Sequence, residues 1–79
     1  MPTALREGPY RFHFYSFDCN EPMHVHVQRD RSEAKFWLQP VENAFNHGFA
    51  GHELRKIRTL IVEHRSQIEE AWYEHCSHS

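Results

Sequence analysis

Apolar and polar positions alternate in three short blocks between residues 10 and 39, and beyond residue 50 a spacing of three and four replaces the alternation. In "YRFHFYSF" (10–17), Tyr10, Phe12, Phe14 and Ser16 fall on one side, and Arg11, His13, Tyr15 and Phe17 on the other, as successive side chains of a strand do. "DCNEP" breaks the pattern. Residues 23–28 then send Met23, Val25 and Val27 one way and His24, His26 and Gln28 the other. After the turn "RDRSE", residues 34–39 separate Ala34, Phe36 and Leu38 from Lys35, Trp37 and Gln39, and Pro40 ends the strand by withholding a backbone donor. Three short strands with tight connections predict an antiparallel meander. Residues 1–9, with two prolines and one glycine, read as an irregular lead-in.

From residue 50 to 76, Leu54, Ile57, Ile61, Ile68 and Trp72 recur at helical spacings, with Leu60 and Ala71 widening the stripe. One helix fits this pattern. So do two with a break near "EHRSQ", where Ser66 would cap the second. Gly48 and Gly51 are read as letting the preceding loop turn sharply into the helix. The two periodicities need each other: the helix stripe covers the sheet face made by Phe12, Phe14, Val25, Val27, Phe36 and Leu38. Burial of those six side chains contributes on the order of 10 kcal/mol before entropy. The expected fold is a single α+β domain over 1–79, βββα or βββαα, with a sheet over 10–39 and helix over 50–76.

Composition adjusts this picture. A chain of 79 residues buries only about 60 to 65% of its unfolded surface, so its eleven aromatic residues must serve a compact core. The net charge of −2 excludes a global cationic field of the kind an obligate DNA binder carries. Any nucleic-acid contact must be a local patch. Cys19 and Cys76 form neither a CxxC pair nor a disulfide framework and read as free thiols. Nothing at the N-terminus has the form of a targeting segment, and no apolar run approaches the ~20 residues of a membrane span. The expected compartment is the cytoplasm.

If the valines face the helix, the histidines cannot. Arg11, His13, Tyr15, His24, His26, Gln28, Lys35 and Trp37 are therefore placed together on an open face, which is the candidate site. Its aromatic and basic residues suit a small partner protein or a second copy of the chain, or single-stranded RNA stacked on Tyr15 and Trp37. His24 and His26, about 6.6 Å apart as same-face neighbours on a strand, also suit a divalent metal such as zinc. His13 or Glu21 would then complete the ligand set. A third arrangement is a metal-free ribonuclease, with His24 and His26 as acid and base and Lys35 or Arg11 stabilising the developing charge.

Four stretches, "RFHFYSFDCNEPMHVHV", "AKFWL" followed by Pro, "NHGF" leading into "HELRKI", and "EEAWYE", resemble in order the bacterial domain of unknown function 4160 family. The resemblance implies a component of small toxin and antitoxin modules and hence a protein partner. Two positions depart from the family pattern. Met23 stands where the pattern has Pro before the first histidine. Ala50 stands where a Ser usually makes a capping box with Glu53, so the helix start is expected to lack about 1 kcal/mol of capping.

Overall fold

The computed structural model describes residues 3–77. Its sheet has five strands, not three, in the order of the chain: β1 (Thr3–Glu7), β2 (Tyr10–His13), β3 (His24–Arg29), β4 (Ser32–Leu38) and β5 (Val41–His47). Two helices follow, α1 (Gly51–Glu63) and α2 (Arg65–Cys76). Every strand pairs antiparallel with the next. The α+β class and the meander stand; the strand count is corrected.

Most of the supposed lead-in is strand β1, with residues 1 and 2 outside the described residues. Gly8 and Pro9 connect Glu7 to its partner Tyr10, with Gly8 at φ 58, the positive φ that primed hairpin turns require. At the other edge, Pro40 belongs to a two-residue turn between the paired Leu38 and Val41. The chain continues into β5 instead of leaving the sheet. A bulge lies opposite Lys35 and Phe36, where the side-chain amide of Asn43 donates to the carbonyls of Lys35 and Phe45. Strand β2 stops at His13, earlier than the alternation over 10–17 suggests.

One apolar layer holds the molecule together. Phe12, Val25, Val27, Phe36 and Leu38 are fully or almost fully buried against Ile57 and Ile61 of α1 and Ile68 and Trp72 of α2. The helical stripe and its sheet face therefore meet as the two periodicities require. The helix pair is separated at His64 (φ −109, ψ 21), and Ser66 lies inside α2 instead of capping it. Ala50 caps α1 without a side-chain hydrogen bond, as its missing oxygen demands. Instead Arg29 of β3 forms a two-pronged ion pair with Glu53, which also accepts from the Tyr10 hydroxyl. That pair fixes the first turn of α1 to the sheet. Gly48, at φ 104, supplies the sharp turn before α1, and a Cβ there would lie 2.6 Å from the Ser32 hydroxyl oxygen. Gly51 simply begins the helix.

Candidate functional site: the histidine face

Register brings the polar positions of the central strands into rows. Arg11 pairs with Gln28, and Gln28 with Glu33; His13 pairs with His26, and His26 with Lys35; His24 pairs with Trp37. All eight residues expected on one face belong to it, except that Tyr15 lies just beyond the end of β2. The face is not open throughout. His13 and His24 are fully buried, while His26, with 12% of its side chain exposed, and Arg11, Tyr15, Gln28, Lys35 and Trp37 keep partial exposure.

Two parts of the chain cause this enclosure: Trp72 of α2, whose ring centroid lies 5.2 Å from that of His24, and the long connection between β2 and β3, residues 14–23, which carries a 3-10 turn at Asp18–Asn20. The connection folds back over the lower end of the face. Asp18, itself buried, reaches the imidazole Nε2 of His24 with Oδ1 at 3.2 Å and that of His26 with Oδ2 at 3.1 Å. Its Oδ2 also accepts the Tyr15 backbone N–H at 2.8 Å. Burial pushes the Asp18 carboxyl up, but the Tyr15 amide and the two imidazoles outweigh it and hold the group below its ordinary value.

The histidines differ in their partners. His24 Nδ1 lies 2.8 Å from the Pro22 carbonyl oxygen, so that nitrogen carries the proton and donates. His26 faces Asp18 with Nε2 and Glu33 with Nδ1, the latter at 3.6 Å. Burial lowers its pKa despite both carboxylates. His13 stacks on His26 with ring centroids 5.7 Å apart and meets the edge of Tyr15 at 5.1 Å. Among the described residues neither of its ring nitrogens has a hydrogen-bond partner, and burial again lowers its pKa. Tyr15 donates its hydroxyl to Glu33 at 2.7 Å, and burial together with that carboxylate pushes the phenol up to about 12.

Of the residues expected from sequence to ligate a metal, His24 and His26 come together with Asp18, and a donor atom of each of the three lies within 4.8 Å of the others; His13 and Glu21 are not in this group. Glu21 approaches the Nδ1 side of His24, which Pro22 already occupies, and instead pairs with Lys35. The Lys35 side chain that was to stabilise a reacting charge is thus engaged by Glu21, with its ammonium 4.5 Å from the Trp37 ring. Arg11 donates to Thr3, and Gln28 donates to the Asp30 carbonyl. Asp18 escaped the sequence reading because it sits in a turn without period. The acid six residues before His24 in an otherwise structureless break was its one trace.

Residues 10–73 match the model of a family described as Domain of unknown function (DUF4160). The chain belongs to that family. The matched segment contains the whole site, from His13 through the Asp18 turn to Trp37. No curated protein and no solved structure matches the chain significantly. Family membership therefore fixes which part of the chain is shared and leaves its chemistry to the geometry.

Cys19 and Cys76 overturn the reading of two free thiols: they form a disulfide, with Cα atoms 5.6 Å apart across 57 residues of chain. The bond ties the 3-10 turn to the end of α2. Next to it, the imidazole Nε2 of His75 lies 2.9 Å from the Tyr15 carbonyl oxygen, and Phe14 stacks on His75 and meets Trp72 edge-on. The connection that closes the histidine face is thus anchored on α2 as well as on Asp18.

Proposed function

We propose that this DUF4160 protein is an interaction module of the toxin and antitoxin kind, docking a partner protein on the outer part of its histidine-bearing face and the adjoining edge of β5. The observation that carries this reading is β5 itself. It is an edge strand whose residues Glu42 to His47 are all exposed, and an edge strand offers unpaired backbone groups to an incoming chain. Phe45 is half-exposed on this strand and pairs with Lys35, beside Trp37. An exposed aromatic beside a partly covered Trp is the residue type that anchors protein contacts.

Charge favours protein over single-stranded RNA. Lys35 is paired with Glu21, and Glu33 and Glu42 border the same surface, so that of the Lys and Arg residues expected on this face only Arg11, bonded to Thr3, is left without a carboxylate partner among the described residues to meet a phosphate chain. The alternative, a metal-dependent hydrolase or a metal-free ribonuclease centred on His24 and His26, has its central groups enclosed. Chemistry there requires segment 14–23 to open first.

A photo-crosslinking residue at position 45, compared in the native host with one at Glu63 on the exposed side of α1, tests the reading. One discrete protein adduct specific to position 45 is the expected result. A specific RNA adduct replaces the partner class, an adduct of the chain with itself makes the surface a homodimer interface, and equal diffuse labelling at both positions sinks the proposal.

No described helix is long and apolar enough to cross a membrane. Residence in the cytoplasm, in this reading, requires that the Cys19–Cys76 bond be reduced there, since cytosolic thiols are kept reduced. Immediate thiol trapping in cells decides it: two free thiols support the cytoplasm, and an intact bond places the protein in an oxidising compartment.

A further inference from the structure

We propose that Asp18, His24 and His26 form a site for one divalent transition-metal ion of the zinc type, bound by two imidazole nitrogens and one carboxylate oxygen. The first ground is the proton inventory of His24. Its Nδ1 must donate to the Pro22 carbonyl, because a carbonyl oxygen has only lone pairs to offer. In the neutral ring, Nε2 is then also a lone pair, and it faces an Asp18 oxygen at 3.2 Å. Two lone pairs opposed within a fully buried side-chain environment repel unless something positive joins them. Among the described residues, Nε2 of His24 makes no hydrogen bond of good geometry despite that short distance, so the pair is poorly served by a shared proton. A cation set off the line between the two atoms satisfies both.

The second ground is metric. A single oxygen, Asp18 Oδ1, lies 3.2 Å from His24 Nε2 and 3.4 Å from His26 Nε2. Metal bonds of about 2.0 to 2.1 Å arranged tetrahedrally place neighbouring donor atoms about 3.3 to 3.4 Å apart. Two of the three donor–donor separations therefore match the edges of such a polyhedron, and all three donor atoms lie within 4.8 Å of one another. Two imidazoles beside one carboxylate select a borderline transition ion over calcium or magnesium, which take oxygen donors.

Groups around the three donors hold them in this pose, as outer partners of metal ligands do. Pro22 fixes the His24 tautomer, Glu33 faces the far nitrogen of His26, and the Tyr15 amide holds Asp18 through its other oxygen. A bound ion would fasten segment 14–23 to β3 at the point where the fold closes the histidine face.

The test is titration of the whole, chelator-treated protein with zinc by calorimetry, and with cobalt(II) by visible absorption, in parallel with Asp18→Asn and His26→Gln. Saturable binding of one ion per chain is expected, with cobalt bands of a four- or five-coordinate ion and affinity at least about tenfold weaker in each variant. Zinc should also raise the melting temperature of the native chain and not of Asp18→Asn. Absence of saturable binding overturns the proposal, as does binding that both variants retain, which would place the ion on other histidines. If Asp18→Asn does not fold by its amide spectrum, His26→Gln, altering a residue at the margin of the cluster, decides between the same outcomes.

Discussion

The two faces of one sheet are built from the same strands and obey different physics. On the helix side, Phe12, Val25, Val27, Phe36 and Leu38 are buried by contacts that need no particular orientation. On the other side, His13, His24 and His26 are as deeply or nearly as deeply placed, but the imidazoles of His24 and His26 face specific atoms: the Pro22 carbonyl, the Asp18 oxygens, a Glu33 oxygen. His13 has no such partner among the described residues. Burial alone makes the first face stable, whereas on the second it costs stability unless directional partners are present. The apolar face is a scaffold, and the polar face is where a stability cost is tolerated.

Substitutions on each face sharpen this contrast. Phe36→Ala, on the scaffold side, should lower unfolding free energy by about 3 to 5 kcal/mol, the usual cost of emptying an aromatic site, as measured by urea denaturation. A loss below ~1 kcal/mol would mean that the helix layer does not pack as described. Next in size is Cys76→Ser, which frees the 3-10 turn from α2. Releasing a loop closed across 57 residues should cost about 2 to 4 kcal/mol, and hydrogen exchange should quicken first in segment 14–23. Uniform quickening across β4 and α1 would deny the bond its local role.

On the polar face the sign reverses. His13→Leu removes two unpartnered buried nitrogens and should leave stability unchanged or raise it by about 1 kcal/mol. A clear loss in the same denaturation experiment would show that the imidazole has a partner it needs. Acidification should produce the smallest and most gradual change. Burial holds the His13 and His26 imidazoles below their ordinary value of 6.5, so between that value and their folded values the unfolded chain binds more protons. Stability is therefore full above about pH 6.5 and falls as pH drops below it. A flat profile between pH 7 and 5 would contradict the placement of these rings.

The three central strands, the faces of the alternating residues in them and the helical stripe were legible in the chain because period two and period 3.6 leave clear traces, although Arg29, Ser32 and Glu33, read as turn, belong to β3 and β4. Strand β5 was not, since an edge strand exposed on both sides has no apolar alternation to show: only Val41 in it is buried. Strand β1 had a legible boundary in the Gly8–Pro9 turn signal, but its short, half-exposed sequence made no clear alternation. Such edges are defined by hydrogen bonding to a neighbour, which a one-dimensional pattern does not contain.

By itself, then, the sequence determined which residues of the central strands lie opposite the apolar face, and so collected the histidines together, but it wrongly kept all of them from the helices: His24 meets Trp72 of α2. It could not determine what covers them. The Asp18 contact, the enclosure of His24 and the Cys19–Cys76 bond all depend on how the connection over residues 14–23 returns across the sheet. That path is set by contacts between positions far apart in the chain. Local periodicity reports the side on which a residue lies, and only tertiary packing brings a carboxylate from a turn to two imidazoles on a strand.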